Sequence, residues 1–113
     1  MHFYRALYVS PSIEDVERAK QKLRCGAGDP TLYILALSPD SAKEGGNQIE
    51  FFHSAVLQQP YYRKYPPLII GLARGRSECI GLVERILAET YRHTGDWNIR
   101  PYLCPNGLAD FVN

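Results

Sequence analysis

Apolar positions along this chain recur with two different periods, and the places where the period changes mark its elements. Phe3–Val9 (FYRALYV) is rich in aromatic and β-branched residues and stops at Ser10-Pro11, which predicts a first strand. From Ser12 the spacing becomes helical. Ile13, Val16, Ala19 and Leu23 share one face, and Glu14, Glu17, Arg18 and Lys22 share the other. A helix over Ile13–Cys25 is expected, with Ser12 as N-cap, Asp15 three positions on as in a weak capping box, and Gly26 as the stop. Thr31–Leu37 (TLYILAL) is an almost unbroken apolar run, the pattern of a strand buried on both faces in a parallel sheet.

Ser38-Pro39-Asp40 ends that strand, and 41–46 is a polar loop with two adjacent glycines. Asn47 and Glu50 stand three positions apart, with Ile49, Phe52 and Val56 on one helical face. This spacing predicts a middle helix over Gln48–Gln58, ended by Pro60. Pro67 opens a third strand through Leu68, Ile69, Ile70, Leu72 and Ala73, and a last helix follows over Glu78–His93. Ile80, Val83, Ile86, Leu87 and Tyr91 form its apolar stripe, and Gly95 closes it. Trp97–Cys104 reads as a fourth strand, placed at an edge because Pro101 cannot donate to a ladder. Asn106-Gly107 turns the chain into a tail that docks through Leu108 and Phe111.

The predicted order is β-α-β-α-β-α-β. It implies an α/β fold, a small three-layer αβα domain on a four-stranded, mainly parallel sheet built by right-handed crossovers. The arrangement resembles a flavodoxin-like sheet cut to four strands, order 2-1-3-4, a likeness of architecture that implies no function. It places the most apolar strand at an edge, where association is invited. That feature and the clustered tyrosines predict a homodimer.

With 113 residues the chain fits one domain, 1–113, able to bury a core without staples. The N-terminus lacks the pattern of a signal peptide, and the longest apolar runs are too short to span a bilayer, so no membrane association is expected. Cys25, Cys79 and Cys104 are odd in number and far apart, which fits reduced thiols and a cytoplasmic location. A net charge of +1 supplies no global field for nucleic acid, which is therefore a disfavoured partner.

Candidate chemistry concentrates at the turn from the third strand into the last helix: Gly71, Arg74, Gly75, Arg76 and Ser77. Two guanidinium groups beside a helix N-terminus suit a phosphate or carboxylate, provided that Glu78 points away and leaves both arginines free. The turn matches neither Gly-x-Gly-x-x-Gly nor a P-loop, and Ser77 and Gly75 also suit an ordinary cap and turn. Cys79, in the first helical turn near Arg74 and Arg76, is a candidate thiolate weighed against a small buried hydrophobe. His2, His53 and His93 are not spaced as metal ligands, and neither a metal nor a cofactor is implied.

The segment holding Tyr61, Tyr62, Arg63 and Tyr65 interleaves rings with cations, a composition enriched at protein–protein interfaces. The catalytic residues are unassigned. A non-catalytic interaction module is the leading expectation, and a small enzyme or sensor with an anion at Arg74–Ser77 is the alternative.

Overall fold

The computed structural model describes residues 1–38 and 48–113, so the expected turn at Pro39-Asp40, the loop 41–46 and the Asn47 cap lie outside the described residues. The elements are β1 (His2–Val9), α1 (Val16–Cys25), β2 (Leu32–Leu37), β3 (Ile49–His53), a 3₁₀ turn (Ser54–Gln58), α2 (Pro60–Lys64), β4 (Leu68–Arg74), α3 (Arg76–Thr94), α4 (Ile99–Leu103), a second 3₁₀ turn (Gly107–Asp110) and β5 (Phe111–Val112). The five strands form one mixed sheet in the order β3-β2-β4-β1-β5.

This overturns the four-stranded, mainly parallel, flavodoxin-like arrangement. Only β1 and β4 run parallel, and β2 is antiparallel to both of its neighbours. The architecture is α+β in character. The continuous apolar run of β2 correctly signals two buried faces, since Leu32, Ile34, Leu35 and Ala36 are fully buried. Burial on both faces comes from helices above and below the sheet, and that condition does not depend on strand direction.

The predicted middle helix is instead β3 followed by the first 3₁₀ turn. Ile49, Phe51 and Phe52 face Leu37, Leu35 and Ile34 of β2 across the ladder. The helical spacing of Ile49, Phe52 and Val56 is a local coincidence that pairing with the apolar β2 overrides. β3 thus covers the strand that order 2-1-3-4 would have left at an edge.

The predicted fourth strand is the helix α4. Ile99 and Leu103, four apart, are buried together, and Pro101 sits in the first helical turn, where its missing N–H breaks no bond. The tail docks through Phe111, which is buried in β5 against β1, whereas Leu108 is exposed.

Two cores flank the sheet. Leu35, Ile70, Leu82 and Ile86 pack with α3 and α4 on one face. Phe3, Leu23, Ile34, Leu57 and Leu72 pack with α1 and the first 3₁₀ turn on the other. The buried stripe of α3 is Cys79, Leu82, Ile86 and Thr90, so Ile80 and Tyr91 of the expected stripe turn outward. At the start of α1 the N-cap is Asp15, which accepts from Arg18 N at 3.0 Å, and not Ser12.

A bulge in β4 sets which side chains reach which core. Leu35 pairs with Gly71 and Ala36 with Ile69, leaving Ile70 as the extra residue. Ile69 and Leu72 therefore reach the same core although three positions separate them. A Cβ at Gly71 would lie 3.2 Å from the Tyr8 carbonyl oxygen and 3.4 Å from Leu35 Cβ. Overpacking costs about 1–3 kcal/mol, and restricting the unfolded chain returns about 0.4–1 kcal/mol. Gly71→Ala is expected to lose about 1 kcal/mol in urea unfolding; a stabilised variant would contradict this close approach.

Candidate functional site

β1 and β4 are the parallel neighbours, and the helices that follow them go to opposite faces of the sheet: α1 to one and α3 to the other. Open sheets bind ligands at such a divergence, outside the carboxyl ends of the strands. Here the space is filled from within. Glu78 Oε1 accepts from Ser10 Oγ at 2.6 Å, Ser12 Oγ at 2.6 Å and Arg74 N at 2.8 Å. The two serine hydroxyls, then the Arg74 amide, hold the Glu78 carboxyl below its usual range. Its charge also sits in the first turn of α3, where the helix dipole favours an anion.

Arg74 is occupied as well. Arg74 Nη1 donates to Asp29 at 3.1 and 3.2 Å and to Thr31 Oγ1 at 2.8 Å. Arg76 lies over the Phe51 ring at 5.7 Å, joining α3 to the edge strand β3. Gly75, at φ 86°, is the N-cap of α3 and needs the conformational freedom of glycine, while Ser77 is exposed and is not the cap. Gly71 is remote from the turn, inside β4. Of the arrangement required for an anion, Glu78 is not turned away and Arg74 is not free, while Arg76 is exposed.

Cys79 is fully buried, and burial together with the Glu78 charge pushes its thiol up to about 11 against a smaller opposing effect of Arg76. It packs as a small hydrophobe. Tyr8 donates to Glu89 Oε2 at 2.8 Å, and burial, reinforced by that bond, raises its phenol well above the usual range. His53 Nδ1 accepts from Ala55 N at 3.0 Å, which leaves the Nε2 proton for the Pro30 carbonyl at 2.9 Å. It caps the first 3₁₀ turn. Among the described residues no group of three or more His, Cys, Asp or Glu side chains is placed to hold a metal ion. Nor is any described helix long and apolar enough to cross a membrane.

α2 presents a different surface. Pro60, expected to end a helix, occupies its first turn, where proline is well tolerated. Tyr61 and Tyr65 are 54% and 55% exposed. Their rings lie 5.3 Å apart, and Tyr61 meets Tyr62 edge to face at 5.1 Å. Tyr62 is anchored inward on Phe52 at 5.2 Å, and Lys64 rests over Tyr65 at 5.6 Å.

A cleft opens on each side of this ridge. One, of about 410 Å³, runs against the end of α1 and includes Arg63. The other, of about 210 Å³, runs against the start of β4 and includes Arg100. Tyr62, Pro66 and Pro67 border both. The structure thus gathers Tyr61, Tyr62, Arg63 and Tyr65 onto one surface, as their sequence proximity suggested. The clefts were not legible, because Leu23, Arg24, Leu57 and Arg100 come from distant elements.

Cys25 lines the larger cleft and is exposed, whereas Cys79 and Cys104 are buried. A chromogenic aryl disulfide is expected to titrate the Cys25 thiol promptly in the folded protein and the other two only after unfolding. Prompt release of a second equivalent would contradict this burial.

Fold and site together define a small α+β protein, a mixed sheet between helical layers, with a basic and aromatic ridge between two clefts. Comparison with family models, curated proteins and solved structures gave no match.

Proposed function

We propose that this chain is a single-domain, non-catalytic interaction module that works as a homodimer in the reducing cytoplasm and offers the α2 face to a protein partner. The observation that carries this reading is the pair of tyrosines, Tyr61 and Tyr65, standing more than half exposed beside two clefts. Tyrosine, with a rigid ring and a polar tip, concentrates binding energy at little entropic cost. The proposal of self-association now rests on another edge, since β2 is interior. β3 has no strand on its outer side among the described residues, and a second copy could pair there.

The other reading, a small enzyme or sensor with an anion at Arg74–Ser77, would need its ligand to displace Glu78 from three hydrogen bonds. The interaction reading needs no such rearrangement.

Amide NMR in millimolar phenol and isopropanol tests the surface without knowledge of the partner. Shifts are expected to cluster on 57–67 and to shrink when Tyr61 and Tyr65 are both alanine. Shifts centred elsewhere would overturn the α2 assignment. Sedimentation equilibrium is expected to give a dimer at micromolar concentration, and a monomer throughout would remove the homodimer.

A further inference from the structure

We infer that the two clefts beside α2 together form a docking site for an extended acidic peptide segment of a partner protein, with apolar side chains as its anchors. This deepens the interaction reading above and rests on it.

The larger cleft supplies the chemistry. Leu23, Leu57, Pro66 and Pro67 line it with apolar surface, while Arg24 and Arg63 supply its charge. No Asp or Glu side chain among the described residues lines it, and Arg63 forms no ion pair with one. Arg24 is already engaged within the chain. Its Nη2 donates to a main-chain oxygen of Asn113, the last residue of the sequence, at 2.9 Å, and its guanidinium lies over the Phe3 ring at 5.2 Å, which leaves Arg63 as the cation facing the cleft. Arg63, an exposed cation at the border of an apolar trough with no Asp or Glu among its described lining residues, complements an anionic group attached to an apolar one. Arginine makes that anion a carboxylate of fixed geometry, because its planar fork matches a carboxylate with two parallel bonds.

Continuity with the second cleft decides between a compact ligand and a chain. The two clefts are separated by a shared wall of Tyr62, Pro66 and Pro67, so a single small acid could fill only one of them. A chain crossing the wall could place one apolar side chain in each. The second cleft has Leu37 and Leu68 as apolar lining, together with Arg100. It also contains Glu50, whose charge, after burial, raises the Tyr62 phenol. The larger cleft therefore carries the acidic preference. An extended peptide turns its anchor side chains into the clefts and its carboxylates toward the rim, where the exposed Arg63 can reach one of them. Nucleic acid fits less well, because a phosphate backbone gains nothing from leucine and proline and the chain carries only +1 overall.

The test is fluorescence anisotropy of a short fluorescein-labelled peptide of alternating Glu and Leu on the full chain. Three comparison ligands are used: Lys in place of Glu, Ser in place of Leu, and a short single-stranded oligothymidylate. The Glu-Leu peptide is expected to bind at least about tenfold more tightly than each of the three, a difference near 1.4 kcal/mol. Arg63→Glu, a change at an exposed position, is expected to weaken it about tenfold or more. Saturating Glu-Leu peptide should also slow reaction of the Cys25 thiol, which lines the same cleft.

Equal binding of the Lys peptide removes the acidic preference, and equal binding of the Ser peptide removes the apolar anchors. Tighter binding of the oligothymidylate turns the surface into a nucleic-acid face. Absence of Glu-Leu binding up to millimolar peptide overturns the docking site. The solvent-mapping shifts on 57–67 report separately on the α2 surface, so failure here leaves that reading standing if those shifts are present.

Discussion

Asp29→Ala is expected to destabilise the fold by about 2–3 kcal/mol at neutral pH, with the difference from the unsubstituted protein shrinking as the pH approaches 2. Asp29 is buried between α1 and β2 and accepts from Arg74 Nη1 at 3.1 Å, Lys22 Nζ at 3.3 Å and Thr31 N at 3.3 Å. One carboxylate thus ties the end of α1, the start of β2 and the end of β4. Burial alone would raise its carboxyl. The bonds from Arg74, Thr31 and Lys22 outweigh that and lower it from 3.8 to about 2.

A folded-state value below the unfolded one means that the stabilisation is present above pH about 4 and is lost as the pH falls toward 2. The depression corresponds to stabilisation on the order of 2 kcal/mol. Removing one partner of a buried pair costs about 3–5 kcal/mol, and the side chains of Arg74 and Lys22, both about a third exposed, can turn to water and hold the loss below that range. Urea unfolding at pH 7 and pH 2 provides the measurement. A gap between the two proteins that does not change with pH would refute the linkage.

The second large effect lies on α3. Ile86→Ala is expected to cost about 3 kcal/mol, within the 2–5 kcal/mol range for truncating a buried aliphatic side chain. Ile86 is fully buried against the sheet. Ile80→Ala, on the same helix but 46% exposed, is expected to change stability by less than about 1 kcal/mol. Urea midpoints of the two variants distinguish the helix orientation seen here from the stripe expected from periodicity. Comparable losses at both positions would mean that α3 is rotated from the orientation described.

That contrast shows how far local pattern reaches. Two strands whose apolar runs are strong, β2 and β4, and two helices with clear stop signals, α1 and α3, are close to their expected places. Gly26 and Gly95 end their helices in the left-handed conformation that glycine favours. The errors fall on short segments. IEFFH is five residues long, too short for helical spacing to be distinguished from strand pairing. Pro101 rules out a central strand and is equally at home in the first turn of α4.

At the candidate sites the same division holds. Proximity in sequence brought Tyr61, Tyr62, Arg63 and Tyr65 onto one surface, and Arg74 and Arg76 stand at the turn into α3. What those arginines touch depended on Asp29 and Phe51, from elements that no local pattern links to the turn.

The sequence by itself determined the existence of the main elements, the double burial of β2, and the residues able to form a basic aromatic ridge. Each follows from interactions within a few positions: period, caps and composition. Tertiary structure alone decided strand direction, the conversion of 49–53 into the strand that covers β2, and the capture of Glu78 by Ser10, Ser12 and Arg74. Those outcomes turn on which distant surfaces meet. A strand accepts either direction of neighbour when both faces are buried, and a carboxylate takes whichever donors the assembled sheet brings within reach.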